Sequence, residues 1–153
     1  MTAAYPQQYK PKIVLVDDEE IIHQLVELFF RDYFEEVTLL KFRNRDDAWK
    51  ELSKADPDLL ITDMRNDNIP TVSGLQEDLG ISGFELLKLL ATKRVKYPIL
   101  VISGCFSISG LEGYAKKCAG RDLNVSYLTK PFTKDLFHQG LLKCLGPNSR
   151  TAG

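Results

Sequence analysis

Long apolar runs are missing from this 153-residue chain. None approaches the ~20 consecutive residues needed to cross a bilayer, and no secretory signal peptide is evident, so the expectation is a cytoplasmic protein with no membrane partner. An excess of basic charge is missing too. Twenty Lys and Arg stand against 21 Asp and Glu, for a formal net charge of −1, which leaves no broad cationic surface for a nucleic-acid backbone. Cysteine is scarce. Cys105, Cys118 and Cys144 are odd in number and form no CxxC, which argues against both a disulfide scaffold and a zinc site and for reduced thiols packed as small hydrophobes. The two histidines, His23 and His138, lie on predicted helices without paired ligands and read as surface or hydrogen-bonded side chains. Neither a GxGxxG turn nor a Walker A loop is present, so the usual dinucleotide and nucleotide cradles are excluded.

What is present is an alternation of short apolar runs with longer stripes at helical spacing. The runs are Lys12–Val16, Val37–Phe42, Asp58–Thr62, Pro98–Ser103 and Val125–Thr129. Several are nearly continuous in Val, Ile and Leu, as strands covered on both faces must be. The stripes are Ile22, Leu25, Val26 and Phe29; Ala48, Leu52 and Ala55; Leu86, Leu87, Leu89 and Leu90; Ile108, Leu111, Ala115 and Cys118; and Phe137, Leu141 and Cys144. Gly146-Pro147 stops the last of them. Five βα units in strict alternation predict a doubly wound five-stranded parallel sheet with five helices on both faces. One domain over 12–146 is expected, preceded by a flexible arm (1–11) and followed by a polar tail (147–153).

In such sheets ligands sit beyond the carboxyl ends of the strands. Here the first run leads into Asp17-Asp18-Glu19-Glu20, the third reaches Asp63, the fourth ends at Ser103-Gly104 and the fifth at Thr129-Lys130-Pro131. Three carboxylates, a hydroxyl and an amine therefore converge on one edge. Such an acidic pocket suits Mg²⁺, which takes one or two carboxylates together with water and phosphate oxygens. One carboxylate can then attack phosphorus to form an acyl phosphate. Lys130 and Ser103 could meet the charge spread over the transferring group's oxygens.

The segments VLVDDEE, PDLLITDM, PILVISG and YLTKPF, in that order, make the chain resemble a response-regulator receiver domain of two-component signalling, of the CheY-like kind, over about Lys12 to Leu145. The resemblance implies a flavodoxin-like strand order 2-1-3-4-5. It makes Asp63 the phosphoacceptor, places Mg²⁺ on Asp18, Asp17 and Asp63 with the Arg65 backbone carbonyl as a further ligand, and sets Lys130 and Ser103 against the phosphoryl oxygens. Lys130-Pro131 becomes a candidate cis bond, and Ser103 and Tyr127 become the switch pair whose movement reports phosphorylation. Arg65 and Cys105, two residues beyond Asp63 and Ser103, are expected to tune hydrolysis. The implied partners are a sensor histidine kinase or a histidine phosphotransfer protein, and an unnamed downstream protein. The output surface would be the face of the fourth helix, fifth strand and fifth helix, and a homodimer formed on phosphorylation remains open.

The chain departs from the family pattern after Asp63. Pro70 comes seven residues later and Gly83 twenty, so residues 64–82 form a loop longer than usual by about a dozen residues, an insertion of small entropic cost. It reads equally as a neutral insertion or as a lid over the acyl phosphate. A Mg²⁺-dependent aspartyl-nucleophile phosphohydrolase, the enzymatic alternative, expects a second aspartate where Arg65 stands. The other alternative is a degenerate, unphosphorylated receiver acting as a scaffold, for which the full set of five site residues leaves little room. The expected protein is a switch with self-catalysed phosphorylation and slow autodephosphorylation, not a metabolic enzyme.

Overall fold

The computed structural model describes residues 10–63, 83–104 and 123–146. Within them the chain runs β1 (Lys12–Val16), α1 (Glu20–Arg31), β2 (Thr38–Phe42), α2 (Arg45–Leu52), β3 (Leu59–Asp63), α3 (Gly83–Lys93), β4 (Ile99–Ser103), β5 (Val125–Thr129) and α4 (Lys134–Leu145). All five strands are parallel and lie in the order β2-β1-β3-β4-β5: the doubly wound parallel sheet expected from the alternation, in the flavodoxin-like order that the family resemblance implies. The fourth predicted stripe, Ile108 to Cys118, lies outside the described residues, so α4 corresponds to the fifth.

The apolar runs partition by strand parity. Ile13, Leu15, Leu59, Ile61, Leu100 and Ile102 face α1 and α4, where Val26, Phe30, Phe137 and Leu141 close the layer. Val14, Leu60, Ile99 and Val101 face α2 and α3, against Ala48, Leu52, Leu86 and Leu90. Every residue of β3 and β4 is buried, whereas the edge strands β2 and β5 are only partly covered. The central strands are therefore the ones that read as unbroken hydrophobic runs.

Local chemistry sets the helix ends. The Asn44 side chain accepts from the Asp47 N–H at 2.8 Å, and Asp46 and Asp47 sit at the positive end of α2. Thr133 caps α4 through the Leu136 N–H at 3.2 Å. Gly146, with φ of 85°, ends α4 in a backbone region that glycine enters without strain. Several expected bounds move. The helical stripe of Ala48 and Leu52 does not take in Ala55, which is exposed: the helix stops at Leu52, because Ser53 begins a turn that leads to Pro57. The second and fourth strands start one residue later than their apolar runs, at Thr38 and Ile99. The third strand starts at Leu59, not Asp58: the Asp58 carboxylate accepts the Lys12 N–H at 2.7 Å while the Asp58 N–H donates to the Lys12 carbonyl.

Candidate functional site: an acidic cleft at the carboxyl edge of the sheet

Strand register assembles the cleft. Val16 pairs with Thr62, Asp63 with Ile102 and Ser103 with Thr129, so the residues at the ends of β1, β3, β4 and β5 are nearly level. Asp17, Asp18 and Asp63 each bring a carboxylate oxygen within 4.8 Å of the others. Asp17 and Asp63 are buried and Asp18 is exposed. The turn is stiffened at Asp17, whose Oδ1 accepts the Glu19 N–H at 2.8 Å and whose backbone N–H donates to the Phe42 carbonyl.

Lys130 reaches into the cluster from the end of β5. Its Nζ lies 2.9 Å from Asp17 Oδ2, 3.0 Å from Glu19 Oε1 and 3.1 Å from Asp63 Oδ1. The Lys130 N–H donates to the Ser103 carbonyl at 2.9 Å, and the Lys130-Pro131 bond is cis. Ser103 itself is fully buried. Tyr127, on β5, packs half-buried against the α2–α3 layer.

Electrostatics follow from this crowding. Burial, and then the neighbouring Asp17 charge, push the Asp63 carboxyl up to about 6 despite the opposing pull of Lys130 and Arg45. Burial works against the Lys130 ammonium, but its bonds to Asp17 and Glu19 and the charge of Asp63 outweigh that and hold its pKa above the ordinary lysine value. The cleft thus presents buried negative charge with a positive lysine at one side, and its all-oxygen donor set fits a hard divalent cation such as Mg²⁺.

Two residues entered this site unforeseen. His23, buried on α1, has its Nε2 2.7 Å from the Asp17 carbonyl, so it donates there and ties the acidic turn to the helix. Arg45, the first residue of α2, donates from Nη2 to the Asp63 carbonyl at 3.1 Å. Arg65 and Cys105, with the whole 64–82 loop, lie outside the described residues.

A doubly wound parallel sheet with a lysine-bridged carboxylate cluster at its carboxyl edge defines a class: small phosphoacceptor switches. The chain belongs to the response regulator receiver domain family of two-component systems, matching it over residues 13–141. It is 30% identical over 126 residues to the cell cycle response regulator CtrA of Brucella ovis, an alignment covering 81% of this chain and 45% of that protein. The chain therefore spans about half the length of the curated relatives it matches. Among solved structures it resembles the signal receiver domain of an HD domain-containing protein from Pseudomonas fluorescens Pf-5, with a TM-score of 0.66, 22% identity and coverage of 89% and 94% of the two chains. NtrX from Brucella abortus gives a TM-score of 0.65 at 22% identity, over 91% of this chain and 27% of that one. Among the described residues no helix is long and apolar enough to cross a membrane.

Proposed function

We propose that the chain accepts a phosphoryl group on Asp63 from the phosphohistidine of a sensor kinase or phosphotransfer protein, and that it signals through protein contacts. The observation that carries this reading is the Asp63 carboxylate at the end of β3, 3.1 Å from Lys130 Nζ and within 4.8 Å of the Asp17 and Asp18 carboxylates. In the transfer an Asp63 oxygen attacks phosphorus, the P–N bond to the donor histidine breaks, and the imidazole keeps that electron pair and takes up a proton. The product is an aspartyl phosphate. Lys130, 3.1 Å from Asp63 Oδ1, would meet the oxygens that gain charge, together with Ser103 at the end of β4. Asp17, Asp18 and Asp63 would hold Mg²⁺, with the Arg65 carbonyl completing the set; bound there, the ion offsets the charge of the phosphoryl oxygens. Lys130 then exchanges carboxylate partners for phosphoryl oxygens, and that exchange, with Ser103 and Tyr127 moving toward the phosphate, is how occupancy of Asp63 would reach a partner surface. A cytoplasmic setting and a downstream protein partner belong to this reading. Arg65 and Cys105 would flank the path of the water that ends the signal.

Intact-mass measurement after incubation with Mg²⁺ and acetyl phosphate tests it. A single labile phosphate on the native chain, absent from Asp63→Asn, is expected. A stable or unchanged adduct in Asp63→Asn would overturn Asp63 as the acceptor. A native chain that gains no phosphate and binds neither Mg²⁺ nor beryllofluoride would be a scaffold.

A further inference from the structure

The acidic cleft is walled by cations on two sides, and only one of them is the expected lysine. Sheet order puts Lys130 on the β5 flank of Asp63 and Arg45 on the β2 flank. Asp17, Asp18 and Asp63 share the cleft with Arg43 and Arg45. Arg43 is exposed and its Nη2 is paired with Glu20 Oε1 at 2.8 Å. Arg45 is half-buried, its Nε is out of contact with solvent, and its Nη2 donates to the backbone carbonyl of Asp63 itself. The Asn44 cap fixes the first turn of α2, so the guanidinium is delivered from an anchored backbone. A guanidinium stays charged at any physiological pH and is more weakly hydrated than an ammonium, which suits it to a half-buried site beside carboxylates.

We propose that Arg45 is a resident counter-charge of the cleft: a positioning residue that holds the end of β3 through the Asp63 carbonyl, and whose charge makes the cleft bind a divalent cation more weakly than its three carboxylates alone would. This rests on the metal reading above. Its physical content is simple. Three carboxylates drawn together by the fold repel one another, and the two cations relieve that repulsion when no metal is bound. The same positive charge then opposes a dication entering the cleft. Arg45 therefore exchanges metal affinity for a preassembled acidic cluster, and phosphorylation becomes responsive to Mg²⁺ concentration over a higher range.

The test is calorimetric titration of the full chain with Mg²⁺ at fixed pH and ionic strength, with fold integrity followed by thermal unfolding. Arg45→Gln is expected to bind Mg²⁺ about tenfold tighter, as loss of one nearby unit charge in a partly screened site implies. Arg45→Lys keeps the charge and should stay close to the native value. Arg43→Gln, exposed and paired elsewhere, should change affinity less. Arg45→Met, which keeps the aliphatic stem, replaces the glutamine variant if that one unfolds. Unchanged or weaker binding in the neutral variants, or an equal gain from Arg43→Gln, would overturn the role of Arg45 while leaving the metal site standing. A native chain that binds no Mg²⁺ would overturn both.

Discussion

Lys130 is the residue on which the metal-free cleft depends. Its ammonium lies within 3.1 Å of three carboxylates, and its side chain is only 14% exposed. Taking it away leaves Asp17 and Asp63 buried without that partner, and breaking such a buried arrangement from one side costs about 3–5 kcal/mol when the remaining group must stay charged. Asp63 has another course. Its carboxyl already holds its proton up to about pH 6, and without Lys130 it would hold it higher. Lys130→Met should therefore destabilise the metal-free protein more at pH 8 than at pH 5, where Asp63 is neutral and of the two buried carboxylates only Asp17 loses a counter-charge. Urea unfolding at the two pH values in EDTA checks this; an equal loss at both would mean that the cost falls on Asp17 or on packing of the lysine stem, not on the Asp63 charge.

At the scale of elements, α1 and α4 are joined by an aromatic layer. Phe137 is fully buried, with ring centroids 5.8 Å from Phe29, 5.5 Å from Phe30 and 5.5 Å from Phe132. His138 Nε2 donates to the Phe29 carbonyl at 2.9 Å near the end of α1. Phe137→Ala should cost about 3–5 kcal/mol of stability, the range for deleting a buried phenylalanine, measured as a lower urea midpoint; a loss below about 1 kcal/mol would show that the layer collapses to fill the space. Phe137 was legible as core because its spacing to Leu141 and Cys144 follows the helical repeat. The strand ends were equally legible: β3 and β4 are buried on both faces, so their apolar runs stop where the sheet stops, and Asp63 and Ser103 mark those stops. Arg45 and His23 were not legible. Each acts through a bond to a backbone carbonyl of another element, His23 to Asp17 and Arg45 to Asp63. Such bonds depend on strand order and helix placement, which leave no mark on residue type or local spacing. The nearest signal was Asn44 three residues before Asp47, a capping pattern that starts α2 directly beyond the carboxyl end of β2 and so sends its first side chain toward the site.

For the whole molecule, the cleft couples folding to both protons and metal. An acid whose pKa rises on folding makes the native state bind more protons than the unfolded chain, so stability falls as pH rises between the two values. For Asp63 that interval runs from 3.8 to about 6, and the contribution lost across it is at most about 3 kcal/mol. Glu51 acts with the opposite sign. Its hydrogen bond to Lys12 lowers its pKa from 4.5, so its contribution disappears as pH falls below that value and is constant above it. The raised Lys130 pKa adds stability that is fully present below the ordinary lysine range and does not vary in this interval. Between about pH 4.5 and 6 the metal-free protein should therefore lose stability with rising pH through Asp63, and Asp63→Asn should remove that part of the slope. Mg²⁺ bound to the native cleft stabilises by RT ln(1 + [Mg²⁺]/Kd), and it competes with the Asp63 proton, so its effect should grow over the same interval and flatten or reverse the decline. Chemical denaturation of native and Asp63→Asn chains from pH 4.5 to 7.5, each with EDTA and with saturating Mg²⁺, separates these contributions. If the EDTA curve of the native chain rises with pH relative to that of Asp63→Asn, Asp63 is not held as a buried acid, and its carboxylate is stabilised in the apo fold by its two cations alone.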